Sequence, residues 1–150
     1  MPDSAAVAGR PGADVADADL FLLAQETASQ AQAYLDTVTA VASGESPGTA
    51  IPLLLLATSQ LLLAGARLGA IEDVVPEERF EPDSGPDVDL DPVRTNLANL
   101  FEGLDEYADV VDPVTAPELT KGSLSNDVAD IAVDLAHGLR HVEAGRVLEG

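Results

Sequence analysis

The sequence predicts an all-α protein, an antiparallel bundle of four main helices with a disordered N-terminal tail. Apolar residues recur at intervals of three and four along much of the chain, as on the buried side of a helix. Aromatic residues make up only 3% of the sequence, so the core consists of Leu, Val, Ile and Ala, which suit close helix packing. No convincing strand pattern is present.

The 150 residues have the usual size of one domain. Residues 1–16 are rich in Ala, Gly, Pro and Asp without apolar periodicity, so we predict a flexible tail there and a single helical domain over 17–150. The first helix covers about 17–42, with either Asp17 or Asp19 as its N-cap. The segment SGESPG that follows is predicted to end it.

The second helix, over about 49–69, is apolar nearly all round and has no charged residue between Glu45 and Arg67. A membrane span is the alternative, but polar residues 58–60 interrupt the run and its flanks are acidic without a Lys or Arg bias. We therefore expect a helix at the centre of the bundle, buried on most sides. An aspartate introduced there would be an unpaired buried charge, so Leu56→Asp or Leu62→Asp is expected to unfold the domain.

A proline-rich acidic loop covers residues 72–92. The third helix is predicted over about 91–112, since Asp91 followed by Pro92 is a favourable helix start and apolar residues recur to Val111. The fourth helix covers about 123–145, capped by Ser123 or Ser125. Its apolar stripe is Val128, Ile131, Leu135, Leu139 and Val142.

The formal net charge of −20 creates a negative field that repels phosphate groups, and no basic cluster offsets it. Nucleic acid and membranes are therefore not expected partners. Cysteine is absent, which excludes disulfides and thiolate chemistry. Because no secretory signal pattern opens the chain, we expect a cytoplasmic protein.

One ionisable stripe follows the fourth helix, where Asp134, His137 and His141 are spaced to converge on a divalent metal. A neighbouring helix would have to complete the ligand shell, and the third predicted helix offers four acids. These are Glu102, Asp105, Glu106 and Asp109. The simpler interpretation is that acids near the start and histidines near the end of a helix complement its dipole.

Other chemistry finds little support. Asp87, Asp89 and Asp91 resemble the opening of a calcium loop, but Pro92 and Ala98 stand where such a loop needs Gly and Glu. The sequence has neither a nucleophile elbow nor a phosphate-binding glycine motif, so no catalytic residue is predicted. We expect a non-enzymatic interaction or accessory protein that binds another protein or a second copy of itself, with a metal-binding bundle as the alternative.

The stretches SQLLLAGARLGAIEDVVPEERFEPD and DLAHGLRH resemble an uncharacterised bacterial family classed as a domain of unknown function. The resemblance spans about residues 20–145 and implies a helical fold with no assigned activity. Members of that family usually continue into a segment rich in Trp and other aromatics, which this sequence lacks. If that segment packs as a helix in its relatives, the resemblance implies an exposed apolar groove here, which would favour self-association or lower stability.

Overall fold

The computed structural model describes residues 11–71 and 83–145. Within this part of the chain the protein is mostly helical, with one small antiparallel sheet. The elements in chain order are α1 (Pro11–Ala42), α2 (Ala50–Leu68), α3 (Asp91–Leu100), β1 (Glu106–Asp112), β2 (Ala116–Ser123) and α4 (Leu124–Glu143). The prediction of a purely all-α bundle is therefore wrong in one respect, the β-hairpin formed by β1 and β2.

Three of the four predicted helices have the expected positions. Gly44, with φ of 73°, ends the turn after α1, and a 3₁₀ turn over Pro47–Thr49 leads into α2. The first helix already begins at Pro11, so residues 11–16 are helical although they were predicted to belong to a tail. Residues 1–10 of that predicted tail and residues 72–82 of the predicted loop lie outside the described residues.

The third helix is shorter than predicted. It ends at Leu100, the following turn contains Gly103 with φ of 81°, and residues 106–112 form a strand where a helix was expected. A left-handed glycine at this place ends a helix at little steric cost. The apolar spacing of Leu104, Tyr107 and Val111 suggested that the helix continued, but the adjacent β-branched residues Val110 and Val111 suit a strand.

The hairpin is antiparallel, with Glu106 opposite Ser123 and Val110 opposite Leu119, and a register shift between Val110 and Asp112. Its turn is organised by Asp112, whose carboxylate accepts hydrogen bonds from the backbone N–H groups of Val114 and Thr115. The Thr115 hydroxyl donates a further hydrogen bond to the same carboxylate. This bond contributes most, and the two backbone bonds add to it, in lowering the pKa of Asp112. A local carboxylate turn therefore connects the two strands.

Two contacts attach the hairpin to α4. The Tyr107 hydroxyl donates a hydrogen bond of 2.6 Å to Asp127 Oδ2, and its ring lies over Gly122 on the opposite strand. Asp105 precedes β1 and accepts hydrogen bonds from the Ser125 backbone N–H at 2.7 Å and from the hydroxyls of Ser123 and Ser125. The hairpin therefore begins and ends at the N-terminus of α4, which is also capped by the Ser123 hydroxyl.

The core is built around α1, which packs against α2, α3 and α4. Its largest fully buried side chains include Tyr34, Val38 and Leu97, and the Tyr34 hydroxyl donates a hydrogen bond to the Val128 carbonyl. The remaining buried members of this cluster are Val41, Ala42, Ala50, Leu54, Ala57, Phe101 and Ala132. The expectation that the second helix is central is thus wrong, because among the described elements α2 packs mainly against α1, and the leucines on its other side are exposed.

Candidate functional site

The first candidate site is the side of α2 that points away from α1. Helical spacing places Leu55, Leu56, Leu62 and Leu63 together on this side, which we call the outer face of α2. The residues that face α1 instead are Ala50, Leu54, Ala57 and Ala64, all buried. The exposed fractions of the outer-face leucines are 67% for Leu55, 56% for Leu56, 74% for Leu62 and 57% for Leu63. Ser59 lies among these leucines, and its hydroxyl donates a hydrogen bond to the Leu55 carbonyl. Large exposed apolar side chains clustered in this way often mark an interaction site.

The helix over Pro47–Leu68 is, among the described residues, long and apolar enough to cross a membrane by length and composition alone. Only 22% of the most apolar stretch of this helix is buried, which is low for a helix at the centre of a bundle. The prediction that Leu56→Asp or Leu62→Asp unfolds the domain assumed that both side chains are buried. Both are exposed in the structure, so that assumption is wrong.

One acidic side chain of the neighbouring helix lies at the edge of this apolar surface, because Glu26 of α1 lines the same cleft as Leu63. Asp19, Glu26 and Asp36 of α1 are all exposed. Arg67, near the end of α2, pairs with Glu26 at 3.5 Å across an open cleft of about 450 Å³ between the two helices. The helix α2 itself carries no acidic residue, so Glu26 is the acidic side chain that this cleft brings to the edge of the outer face.

The second candidate site is the ionisable stripe of α4, and the structure divides it into two parts. In the first half, Asp127 accepts the hydrogen bond from Tyr107, which raises the pKa of that phenol. Asp130 pairs with Arg94 of α3 at 2.9 Å, and Arg94 also bonds Asn126. These two aspartates therefore connect α4 to the hairpin and to α3.

In the second half of α4, His137 and His141 lie against each other. Their Nε2 atoms are 3.3 Å apart, and the ring centroids are 5.0 Å apart with planes inclined at 73°. His141 is fully buried, whereas 34% of the His137 side chain is exposed. On the other edge of the His137 ring, Nδ1 lies 3.3 Å from Ser84 Oγ and 3.7 Å from Asp87 Oδ1.

The segment that supplies Ser84 and Asp87 is held against α4 by Arg140, whose guanidinium donates a hydrogen bond to the Pro86 carbonyl. Asp83 stabilises the same segment by accepting a hydrogen bond of 2.8 Å from the Gly85 backbone N–H. Residues 83–90 thus pass beside the C-terminal half of α4 and bring polar side chains to the histidine pair.

The third predicted metal ligand, Asp134, is exposed and lines a groove of about 270 Å³ between α1, the end of α2 and α4. The groove is otherwise mostly apolar, with Ala28, Leu68 and Leu139 among its walls. Within the described ranges, no three His, Asp or Glu side chains are close enough together to hold a metal ion. The structure therefore brings together two of the three predicted ligands.

The acids predicted to complete the shell lie elsewhere. Glu106 and Asp109 are on β1, and Glu106 pairs with Lys121 at 3.1 Å. Asp105 caps α4. Burial would raise the pKa of Asp105, but the hydrogen bonds from Ser125 and Ser123 outweigh it and hold that pKa below its usual value. Glu102 follows α3 in an exposed turn.

Sequence reasoning missed the two neighbours of His137. The sequence pattern relates Asp87 only to a calcium loop, and it gives no reason to select Ser84. Their contacts with His137 join residues 53 and 50 positions apart in the chain, so spacing along one helix could not reveal them. The only sequence signal was a polar segment immediately before α3.

Fold and sites together define a mostly helical chain with one β-hairpin, an uncovered apolar helix face and a histidine pair. Residues 18–150 match the model of a family described as Domain of unknown function (DUF5063), and the chain belongs to that family. The match agrees with the resemblance inferred from the sequence. No curated protein and no solved structure matches the chain.

Proposed function

We propose that this chain is a non-enzymatic interaction or accessory protein that binds another protein through the outer face of α2. The observation that carries the proposal is the set of four leucines on that face, each more than half exposed. Burying them against a partner would remove a large apolar area from water, at about 25 cal/mol for each Å².

The charge distribution favours a partner with basic residues around an apolar contact surface. Glu26 of α1 lines the same cleft as Leu63 of the outer face, and the chain as a whole has a net charge of −20. A second copy would bring an equal negative charge into the interface, whereas Lys and Arg side chains would be attracted to it. A basic amphipathic helix fits both the apolar and the acidic features.

The test uses a model amphipathic helix of Leu and Lys, and a matched peptide with Glu in place of Lys. We expect the protein to bind the Leu/Lys peptide and to reject the Leu/Glu peptide, as measured by calorimetry. The double substitution Leu56→Asp/Leu62→Asp should weaken binding about tenfold or more, which corresponds to about 1.4 kcal/mol. Its added negative charges alone would strengthen the attraction, so weaker binding reports lost apolar contact.

The matched control is Gln25→Asp/Thr39→Asp, which adds the same charge at exposed positions of α1. It should bind the Leu/Lys peptide at least as well as the unmodified chain. Equal binding of both peptides, or no effect of the α2 substitutions, would contradict the proposal. Two other outcomes would also overturn the proposal. One is an apparent molecular mass that rises with protein concentration, and the other is binding to neutral lipid vesicles, in each case abolished by the α2 substitutions. The occupant would then be a second copy or a bilayer.

A second candidate function is metal binding by the stripe of α4 that contains Asp134, His137 and His141. It is supported by one observation, the 3.3 Å separation of the two imidazole Nε2 atoms. Calorimetry with zinc, manganese and iron on the tag-free chain tests it, and absence of binding by all three metals would remove it. Metal binding and peptide binding use different helices, so either function can fail without the other.

A further inference from the structure

The two histidines of α4 are within hydrogen-bond distance of each other, and the same separation fits two ligands of one metal ion. In a tetrahedral zinc site the metal–nitrogen distance is about 2.0–2.1 Å, which places two ligand nitrogens about 3.3–3.4 Å apart. The Nε2 atoms of His137 and His141 are 3.3 Å apart. The spacing of four residues on a helix places the two rings one turn apart on the same side.

The surroundings of His137 favour coordination through Nε2. Its Nδ1 atom lies beside the Ser84 hydroxyl and the Asp87 carboxylate, at 3.3 and 3.7 Å. A proton on Nδ1 can be donated to the Ser84 hydroxyl, with the Asp87 carboxylate close beside it, which leaves a lone pair on Nε2, the atom nearest His141. A carboxylate on the far side of a histidine ring is the usual outer partner of a metal ligand, because it fixes the tautomer and increases the basicity of the ligating nitrogen.

Burial makes one side of the pair rigid and leaves the other accessible. His141 is completely buried, and His137 is about one-third exposed. An ion held between them can therefore keep water among its ligands. The net charge of −20 raises the local concentration of cations.

We propose that His137 and His141 bind one zinc-class divalent ion through their Nε2 atoms, with Asp87 and Ser84 as positioning residues on Nδ1 of His137. This inference rests on the second candidate function and specifies its site. Imidazole ligands select late first-row metals such as zinc, cobalt and nickel over magnesium and calcium, which prefer oxygen. Asp134, which faces the groove beside α1, is not among the ligands of this site.

The experiment measures zinc affinity by calorimetry on the tag-free full chain, with excess magnesium present to occupy exposed carboxylates. We expect one zinc ion per chain. His137→Ala should reduce the affinity about 100-fold or more, and Asp87→Asn about tenfold, since loss of an outer partner costs 10–100-fold. Asp134→Asn is the matched control on the same helix and should leave the affinity unchanged within about twofold.

Cobalt absorption supplies a second readout, because its visible spectrum reports nitrogen coordination. The spectrum should be lost in His137→Ala, and Asp87→Asn should weaken cobalt binding while the metal-free melting temperature stays unchanged. His137 is partly exposed, so its replacement is expected to preserve the fold, which circular dichroism checks.

The variants separate the failure of this site from the failure of the second candidate function. If the unmodified chain binds none of the metals, both are overturned. If metal binding is lost in Asp134→Asn and retained in His137→Ala, the chain binds metal on α4 but the proposed histidine site is wrong. An effect of Asp87→Asn no larger than that of Asp134→Asn would remove Asp87 as a positioning residue.

Discussion

Tyr34 shows how one side chain of α1 connects two helices. It is almost completely buried, and its hydroxyl donates a hydrogen bond of 3.3 Å to the Val128 carbonyl of α4. Burial raises the pKa of Tyr34 from 10.0 to about 12, because the phenolate would lose its hydration. The neutral phenol is therefore the form that the folded state requires.

The stability of the chain should fall steeply at alkaline pH. A pKa that is higher in the folded state means that the contribution of Tyr34 is complete below pH 10.0 and is lost as the pH rises through about 12. Urea denaturation across this interval measures the loss. Tyr34→Phe should cost about 1 kcal/mol at neutral pH and have a shallower alkaline decline. An identical decline in both proteins would contradict the role of Tyr34.

Gly122 allows the ring of Tyr107 to lie across the hairpin. A Cβ atom at this position would be 2.2 Å from Tyr107 Cζ, so the ring would have to move and its hydrogen bond to Asp127 would be disturbed. We expect Gly122→Ala to lower the free energy of unfolding by about 1–3 kcal/mol. Gly48→Ala is the control, since a Cβ there meets nothing within 4 Å. Equal effects of the two substitutions would show that the Tyr107 contact has little energetic weight.

At the scale of secondary-structure elements, the two sides of α2 should respond differently to the same substitution. Leu54→Asp places an unpaired charge among buried residues and should cost about 3 kcal/mol or more. Leu62→Asp changes a side chain that is 74% exposed and should cost less than about 1 kcal/mol. Circular dichroism during urea denaturation gives both values. If Leu62→Asp unfolds the chain as Leu54→Asp does, the outer face of α2 is covered in solution.

The end of α1 and the positions of α2 and α4 were predictable, because their capping and breaking residues agree with the periodicity of their apolar residues. The predicted start of α1 was wrong, because Asp17 and Asp19 lie inside a helix that begins at Pro11. Ser123 does cap α4, and Pro47 and Gly48 do separate α1 from α2. The hairpin was not predictable, because apolar residues after Leu100 fit a helix and a strand equally well. Its formation depends on contacts between distant residues, such as those of Asp105 with Ser125.

The candidate sites show a similar division. The i, i+4 spacing of His137 and His141 was sufficient to predict that the rings lie together, and in the structure their Nε2 atoms are 3.3 Å apart. The exposure of α2 was not predictable from composition. An apolar helix is usually buried, and the sequence does not tell how many neighbours are available to cover it.

For the whole molecule, the dominant electrostatic property is the net charge of −20. Like charges repel one another more strongly in the compact state than in the extended chain, and dissolved salt screens that repulsion. We expect the melting temperature to rise by about 2–4 °C between low and moderate sodium chloride concentrations, the shift that about 1 kcal/mol produces in a chain of this size. A melting temperature that falls with salt would show that attractive ion pairs, such as Arg94 with Asp130, dominate instead.

The helix α2 packs mainly on α1, whereas α3 and α4 pack on each other as well as on α1. We therefore expect α2 to detach before the other helices separate. Detachment of α2 exposes one helix interface and leaves the packing of α1 with α3 and α4 intact. Backbone amides of α2 should therefore exchange with deuterium faster than those around Tyr34 and Leu97, through partial rather than global unfolding. A ligand that slows exchange in α2 alone would act by closing this partial opening, so the same measurement distinguishes ligands of α2 from ligands of α4.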